Sequence, residues 1–221
     1  GGGGGHGGAR VVGGGGGNGE TSESFAVSHS SETFARDCIG REDERLLALT
    51  FDDGPWSYTP GILDILEKKG ARATFFVISS ILDQFPRDRY EAIVRRIVRD
   101  GHTVANHGID NEEFTIEDVE ECHQEISRIT KGYGSEGYEM RLFRPARGAY
   151  TKANHQRLVD MGYRMVMWNL DTTDWKQERS ASDILSFVRS SVLEPMEPPP
   201  MFDQANYDVP RRGSFIMLAH D

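Results

Sequence analysis

Five clusters of polar residues in this 221-residue chain carry side chains that could hydrolyse an acyl bond such as an amide. They are Asp52-Asp53, Asn106-His107, Arg144, Asp171 with Asp174-Trp175, and His220-Asp221. Two adjacent carboxylates leaving a strand point in different directions, so Asp53 can bind a metal while Asp52 faces a water molecule. A metal lowers the pKa of the water it binds and polarises a carbonyl. Asp52 would then take the water's proton as general base. His220 would protonate a departing amine, and a carboxylate partner would keep its imidazole cationic before transfer; Asp171 is the candidate. Arg144 would orient Asp52 and hold it ionised. Taken alone, the Asp52-Asp53 pair could equally cap a turn ahead of Gly54-Pro55.

The elements that must position these clusters are legible in the hydrophobic pattern. Leu46 to Phe51 reads as a buried strand closed by Asp-Asp-Gly-Pro, and Ala73 to Ile78 as the next. Short strands are expected at Thr103–Ala105 and Leu142–Phe143, then at Arg164–Trp168 and Ser214–Ala219. Between them lie helical patterns. One opens at Pro60 and ends at Gly70, a second runs from about Asp88 to Gly101, and Thr115 caps a third with Asp118 three residues on. Residues 153–161 and 182–193 complete the set. Alternation of strand and helix predicts an α/β fold with a parallel sheet, closed or nearly so. Each polar cluster directly follows a predicted strand. In a β/α barrel all strand ends share one face, so the five clusters would converge there.

Composition narrows the function classes. The chain is 37% hydrophobic and 27% charged, within the range of globular proteins. It holds no apolar run long enough to span a bilayer. Its formal charge of −10 argues against a nucleic-acid partner held by phosphate contacts. Thirteen of the 25 glycines fall in residues 1–20, so the glycine excess reflects a flexible tail or an artefact rather than the fold. Residues 21–44 read as a polar lead-in, which leaves 45–221 as the folded domain. Neither an initiator Met nor an apolar leader marks the start, so the compartment is not readable from it. Cys38 and Cys122 are too few for a disulfide scaffold and are read equally as one bridge or two thiols. The proline-rich 194–212 segment can be neither helix nor inner strand. His102 is expected to be structural, and His123 and His155 solvated. Trp168 and Tyr150 are read as packing residues. Oligomeric state leaves no signal.

The clusters also resemble, in order, the five motifs of the polysaccharide deacetylases of carbohydrate esterase family 4, defined by the NodB homology domain. They are Thr50-Phe51-Asp52-Asp53-Gly54, Asn106-His107, Arg144-Pro145-Ala146-Arg147-Gly148, Asp171-Thr172-Thr173-Asp174-Trp175, and Ile216-Met217-Leu218-Ala219-His220. The resemblance spans Leu46 to Asp221. It implies a distorted, possibly incomplete (β/α) barrel of about seven parallel strands. It implies a divalent metal, zinc first and cobalt or nickel otherwise, and an acetylated polysaccharide substrate, chitin before peptidoglycan or xylan. The site residues it implies are Asp52, His220, Arg144 and Asp171 for catalysis and Asp53, His107 and Asn111 for the metal. Arg147, through an oxyanion-binding N–H, joins Asp174, Trp175 and Leu218 around the sugar. An extracellular or cell-wall location follows from the same resemblance.

Three departures stand out. The second motif usually supplies two imidazoles, as His-Ser/Thr-x-x-His, but here reads His107-Gly108-Ile109-Asp110-Asn111. An amide oxygen is a weaker zinc donor than imidazole nitrogen. Asn111 could coordinate weakly, Asp110 could replace it, or the metal could be lost; the first is favoured. Arg147 stands where the family usually has an aromatic. The chain also ends where members usually continue with another helix, so the barrel is expected to be incomplete. A working deacetylase and a catalytically impaired, glycan-binding relative are the competing functional readings. A third keeps amide hydrolysis but on small non-sugar substrates.

Overall fold

The computed structural model describes residues 34–35, 46–83, 85–133, 138–193 and 214–221. The Gly-rich start, Cys38 and the proline-rich 194–212 segment lie outside them. The described strands are β1 (Phe34–Ala35), β2 (Leu47–Gly54), β3 (Ala73–Val77), β4 (Thr103–Asn106), β5 (Leu142–Phe143), β6 (Arg164–Val166), β7 (Leu170–Asp171) and β8 (Phe215–His220). The helices are α1 (Thr59–Lys69), α2 (Arg87–Arg99), α3 (Ile116–Ile129), α4 (Lys152–Asp160) and α5 (Ala181–Leu193). All strands pair in parallel in one sheet of order β1-β6-β5-β4-β3-β2-β8-β7. The sheet curls into a barrel that its two-residue edges, β1 and β7, do not close on each other.

Local sequence explains the element ends. Pro60 lies in the first turn of α1, where its missing N–H costs nothing, and Gly70 at φ 61° closes it. Thr115 and Asp118 exchange side-chain and backbone hydrogen bonds in a full capping box on α3. Two short strands escape the pattern. Phe34–Ala35, inside the polar lead-in, pairs with Met165–Val166. Leu170–Asp171 pairs with Met217–Leu218, and the strand expected to reach Trp168 stops at Val166. Neither offers an apolar run: Phe34–Ala35 sits among polar residues, and Leu170 is followed by Asp171, whereas Leu142–Phe143 is apolar throughout.

Period-two alternation divides the core. Phe75 and Val77 of β3 pack with Leu63, Val94, Ile97 and Ile126 beneath the helices. Phe76, between them, faces the barrel interior with Ala105, Val166 and Ile216. Cys122 is a free thiol in the helix-side core, and burial pushes its pKa up to about 12. His102 is structural, its Nδ1 accepting the Ala73 N–H at 3.3 Å. His155 is buried rather than solvated, and His123 lies with Nδ1 2.5 Å from the Tyr163 hydroxyl. Both sit on the inward side of helices whose spacing left that side ambiguous.

Candidate active site

Asp52 and Asp53 reach one site because the strand that carries them is irregular. In β2, Asp52 pairs with Phe76 and Gly54 with Val77, so the residue between them has no partner on β3. Asp53 is therefore bulged out, at φ 69°. Consecutive residues of a regular strand face opposite ways; the bulge lets both carboxylates serve one face. On the other side of β2, Asp52 is the register partner of His220 on β8. Base and acid candidates thus stand on neighbouring strands.

Arg144 is fully buried beneath Asp52. Its Nη1 donates to Asp52 Oδ1 at 2.6 Å and to Thr50 Oγ1 at 2.8 Å. Nε donates to the Val166 carbonyl at 3.1 Å and Nη2 to that of Met167 at 3.2 Å. The guanidinium also lies over the Phe76 ring at 4.0 Å. Burial pulls its pKa below the usual arginine value against the Asp52 charge, yet a guanidinium stays cationic. Asp52, itself 3% exposed, is held by a charge that cannot leave. Thr50 shares this face because it lies two residues before Asp52, a period-two signal that identifies it only once the barrel interior is known.

His107 is oriented from behind. Its Nδ1 lies 2.6 Å from the Arg144 carbonyl, which can only accept, so Nδ1 carries the hydrogen. Nε2 then faces Asp53 Oδ1 at 3.3 Å and Asp52 Oδ2 at 3.6 Å. Burial opposes its charge, but Asp52 and Asp53 outweigh burial and raise its pKa. Asn106, fully buried, accepts the Gly108 N–H at 2.8 Å and fixes the turn after His107. Asn111 presents its amide to Asp53 Oδ2 at 3.0 Å.

These donors fit a divalent cation. Asp53 Oδ1 is buried with no hydrogen-bond partner, beside an imidazole nitrogen whose tautomer leaves a lone pair free. Turning the Asn111 amide over would set its oxygen, in place of its nitrogen, beside the other oxygen of Asp53. Among the described residues no three His, Cys, Asp or Glu side chains form such a group, so a third donor would have to be the Asn111 amide. Asp110 instead accepts the Glu112 N–H at 3.0 Å.

His220 corrects one expectation. Its Nδ1 lies 2.8 Å from Asp174 Oδ1, and its backbone N–H donates to Asp174 Oδ2 at 2.8 Å. Asp171 accepts the Thr173 N–H and shapes the loop that delivers Asp174. Asp171 ends β7, whereas Asp174 sits on the turn beyond it, so the turn carries the carboxylate to the end of β8. Burial works against the His220 charge, but the Asp174 hydrogen bond and charge raise its pKa. Next to His220, burial with the nearby Asp52 and Asp53 charges pushes the Asp221 carboxyl up to about 7 despite a Thr59 hydrogen bond.

The remaining residues frame this face. Trp175 is 61% exposed, with Lys176 Nζ 5.0 Å from its ring, so it is no core aromatic. Leu218 is buried on β8. Arg147, at φ 55°, pairs through Nη2 with Glu112 at 2.9 Å. Three non-glycine residues among those described have positive φ: Asp53, Arg147 and Thr173. Asp53 is the bulge of β2, and Arg147 and Thr173 lie in the loops after β5 and β7; such strain commonly gathers at functional sites.

A family model described as polysaccharide deacetylase matches residues 39–166, more than half of the chain. The chain belongs to the polysaccharide deacetylase family. The match covers Asp52, Asp53, His107, Asn111, Arg144 and Arg147; Asp174 and His220 lie beyond it. The peptidoglycan-N-acetylglucosamine deacetylase PgdA of Listeria monocytogenes is 37% identical over 132 residues, 59% of this chain and 27% of that protein. A chitooligosaccharide deacetylase of Rhizobium leguminosarum bv. trifolii is 34% identical over 137 residues, 61% of each. The chain thus spans less than two thirds of either relative. The chitin deacetylase of Colletotrichum lindemuthianum shares the deacetylase fold, with a TM-score of 0.63 at 24% identity over 86% of this chain and 77% of that one.

Proposed function

We propose that this chain is a metal-dependent hydrolase that removes N-acetyl groups from N-acetylglucosamine residues of a polysaccharide. The supporting observation is the paired arrangement at the end of β2 and β8. Asp52 is held by buried Arg144, His220 is held by Asp174, and the bulged Asp53 stands 4.0 Å from His220. Asp53, His107 and Asn111 would hold the cation. When bound, a divalent ion supplies polarisation of the acetyl carbonyl and a more acidic water.

The protein's own groups account for the proton movements. Asp52 accepts a proton from the attacking water as its oxygen bonds to the carbonyl carbon. The backbone N–H of Arg147 supports the negative oxygen that develops. His220, protonated and steadied by Asp174, gives its Nε2 proton to the departing amine as the C–N bond breaks. The products are acetate and a free amino sugar. Trp175 offers an exposed aromatic face for the sugar.

The relatives named for peptidoglycan and chitooligosaccharides support a polymer of N-acetylglucosamine, acted on outside the cell or at the wall. No helix among the described residues is long and apolar enough to cross a membrane. Acetate release from chitin oligomers, peptidoglycan and xylan tests the reading, using metal-stripped protein with and without zinc, cobalt or nickel. Metal-dependent release is expected. Asp52→Asn should lower it by about 10²–10⁴-fold, the usual contribution of a general base. One observation favours the impaired, glycan-binding reading: Asn111 donates a hydrogen bond to the carboxylate that would bind the metal. Glycan binding without release under any metal would establish that reading instead.

A further inference from the structure

Gly54 ends the strand that bears both carboxylates, yet its backbone does not require glycine. Its φ is not among the positive values seen at Gly70, Gly101 or Gly108. What excludes a side chain is Asp221. A Cβ built on Gly54 would overlap both carboxylate oxygens of Asp221. That carboxylate accepts the Thr59 hydroxyl at 2.5 Å, and the same hydroxyl accepts the Trp56 N–H at 2.8 Å. Thr59 is fully buried. The Asp221 backbone N–H meets the Asp52 carbonyl at 3.5 Å. The turn Asp53–Trp56 is thus bracketed by one residue that directly follows His220.

An apolar residue could fill this space at less cost. Asp221 Oδ1 is buried with no hydrogen-bond partner, an arrangement that packing alone disfavours. We propose that Asp221 is a positioning residue, which ties the Asp52–Asp53 turn through Thr59 to the strand bearing His220 and so fixes base, metal carboxylate and acid relative to one another. This rests on the reading of those three groups as the reaction centre. It also assigns the glycine of the Asp-Asp-Gly sequence to close approach rather than to turn geometry.

The full chain tests this through Asp221→Ala, Asp221→Asn, Gly54→Ala and the Gly54→Ala/Asp221→Ala pair. Three properties are measured: zinc affinity, kcat and KM for a chitin oligomer, and thermal melting. Asp221→Ala should lower kcat by about 10- to 100-fold, the scale of a small misplacement of reacting groups, with KM little changed. It should also weaken zinc binding. Asp221→Asn keeps an acceptor for Thr59 and should recover most of both. Gly54→Ala should lower the melting temperature in the parent and much less in the Asp221→Ala background, since the overlapping carboxylate is then gone.

Folded Asp221→Ala with parental kcat and zinc affinity would overturn the inference. So would Asp221→Asn as impaired as Asp221→Ala, or melting effects that simply add. If Asp221→Ala does not fold, Asp221→Asn and Gly54→Ala still decide: loss of kcat in the first or parental behaviour of the second overturns it. If the parent releases no acetate from any polymer, the proposed function fails by itself. The tie is then judged on melting and zinc affinity, and unchanged values there would overturn it separately.

Discussion

Asp174 grips His220 twice, with Oδ1 2.8 Å from the imidazole Nδ1 and Oδ2 2.8 Å from the backbone nitrogen. One carboxylate therefore fixes both the ring and the strand end that carries it. With Nδ1 protonated toward Asp174, the other ring nitrogen projects to the site and stands 4.0 Å from Asp53 Oδ2. A carboxylate placed this way also favours the imidazolium, which is the form a general acid needs.

The rate against pH should carry this signature. In the proposed reaction His220 acts protonated, so kcat should fall as pH rises through a value above the ordinary histidine 6.5. Asp174→Asn keeps a similar shape but removes the charge. The alkaline limb should move to lower pH, and kcat at neutral pH should drop about tenfold or more, part of the 10²–10⁴ a general acid supplies. Acetate release across a pH series measures both. An unmoved alkaline limb in Asp174→Asn would assign that limb to another group.

Stability should follow the same pair in metal-free protein. The folded pKa of His220 is raised, so its contribution is complete below about 6.5 and is lost as pH climbs through the folded value. Asp174 is a partly buried carboxylate whose folded pKa is lowered: burial opposes this, but the His220 hydrogen bonds outweigh it. Its contribution is complete above about 3.8 and is lost as pH falls through the folded value. Urea midpoints should therefore show the full contribution of the pair between about 3.8 and 6.5. Asp174→Asn should lower midpoints most inside that window and least well above the folded His220 pKa.

The strand-end clusters were legible in sequence because parallel strands must deliver their C-terminal residues to one face. That logic reaches Asp52, His107, Arg144 and His220, each at or just beyond a strand end. It fails for Asp171 because the carboxylate that matters lies beyond the strand end, on a turn whose path depends on Thr173 at φ 51°. The Asp53 bulge is equally invisible, since a bulge is a property of pairing between β2 and β3 rather than of either strand alone. Thr115 and Gly70 mark their helix ends in the sequence itself. The strands β1, set in a polar stretch, and β7, half of it a charged residue, carry no such mark.

Arg144 and Asp52 should be worth more together than apart. Arg144 is fully buried and Asp52 nearly so, with 2.6 Å between Nη1 and Oδ1. Removing one partner leaves a buried charge without its counterpart, which typically costs about 3–5 kcal/mol. Arg144→Met should lower unfolding free energy by about that amount and also release Asp52 from its fixed orientation, abolishing acetate release. Combining it with Asp52→Asn removes both charges, and the double variant should be less destabilised than the sum of the single ones. Urea unfolding of all four proteins measures the coupling. Simple additivity would mean that the guanidinium is held by Val166, Met167 and Phe76 rather than by the carboxylate.

Asn111 is the position where a single change should strengthen the site. Its amide nitrogen donates to Asp53 Oδ2 at 3.0 Å, so it already lies within reach of the proposed metal carboxylate. Imidazole offers a better zinc donor than an amide oxygen, and the ring nitrogen that binds the metal carries no hydrogen to give to Asp53. The residue is exposed in the loop after β4, which leaves room for the larger ring. Changes one shell further out already alter metal affinity by about 10–100-fold, so Asn111→His should tighten zinc by at least about tenfold. A competition titration with a chromogenic chelator measures this without relying on turnover. Weaker or unchanged zinc binding in a folded Asn111→His would place the third donor elsewhere. Tighter zinc with higher kcat would mean that the amide limits the native site, and tighter zinc with unchanged kcat that proton transfer through Asp52 and His220 limits it instead.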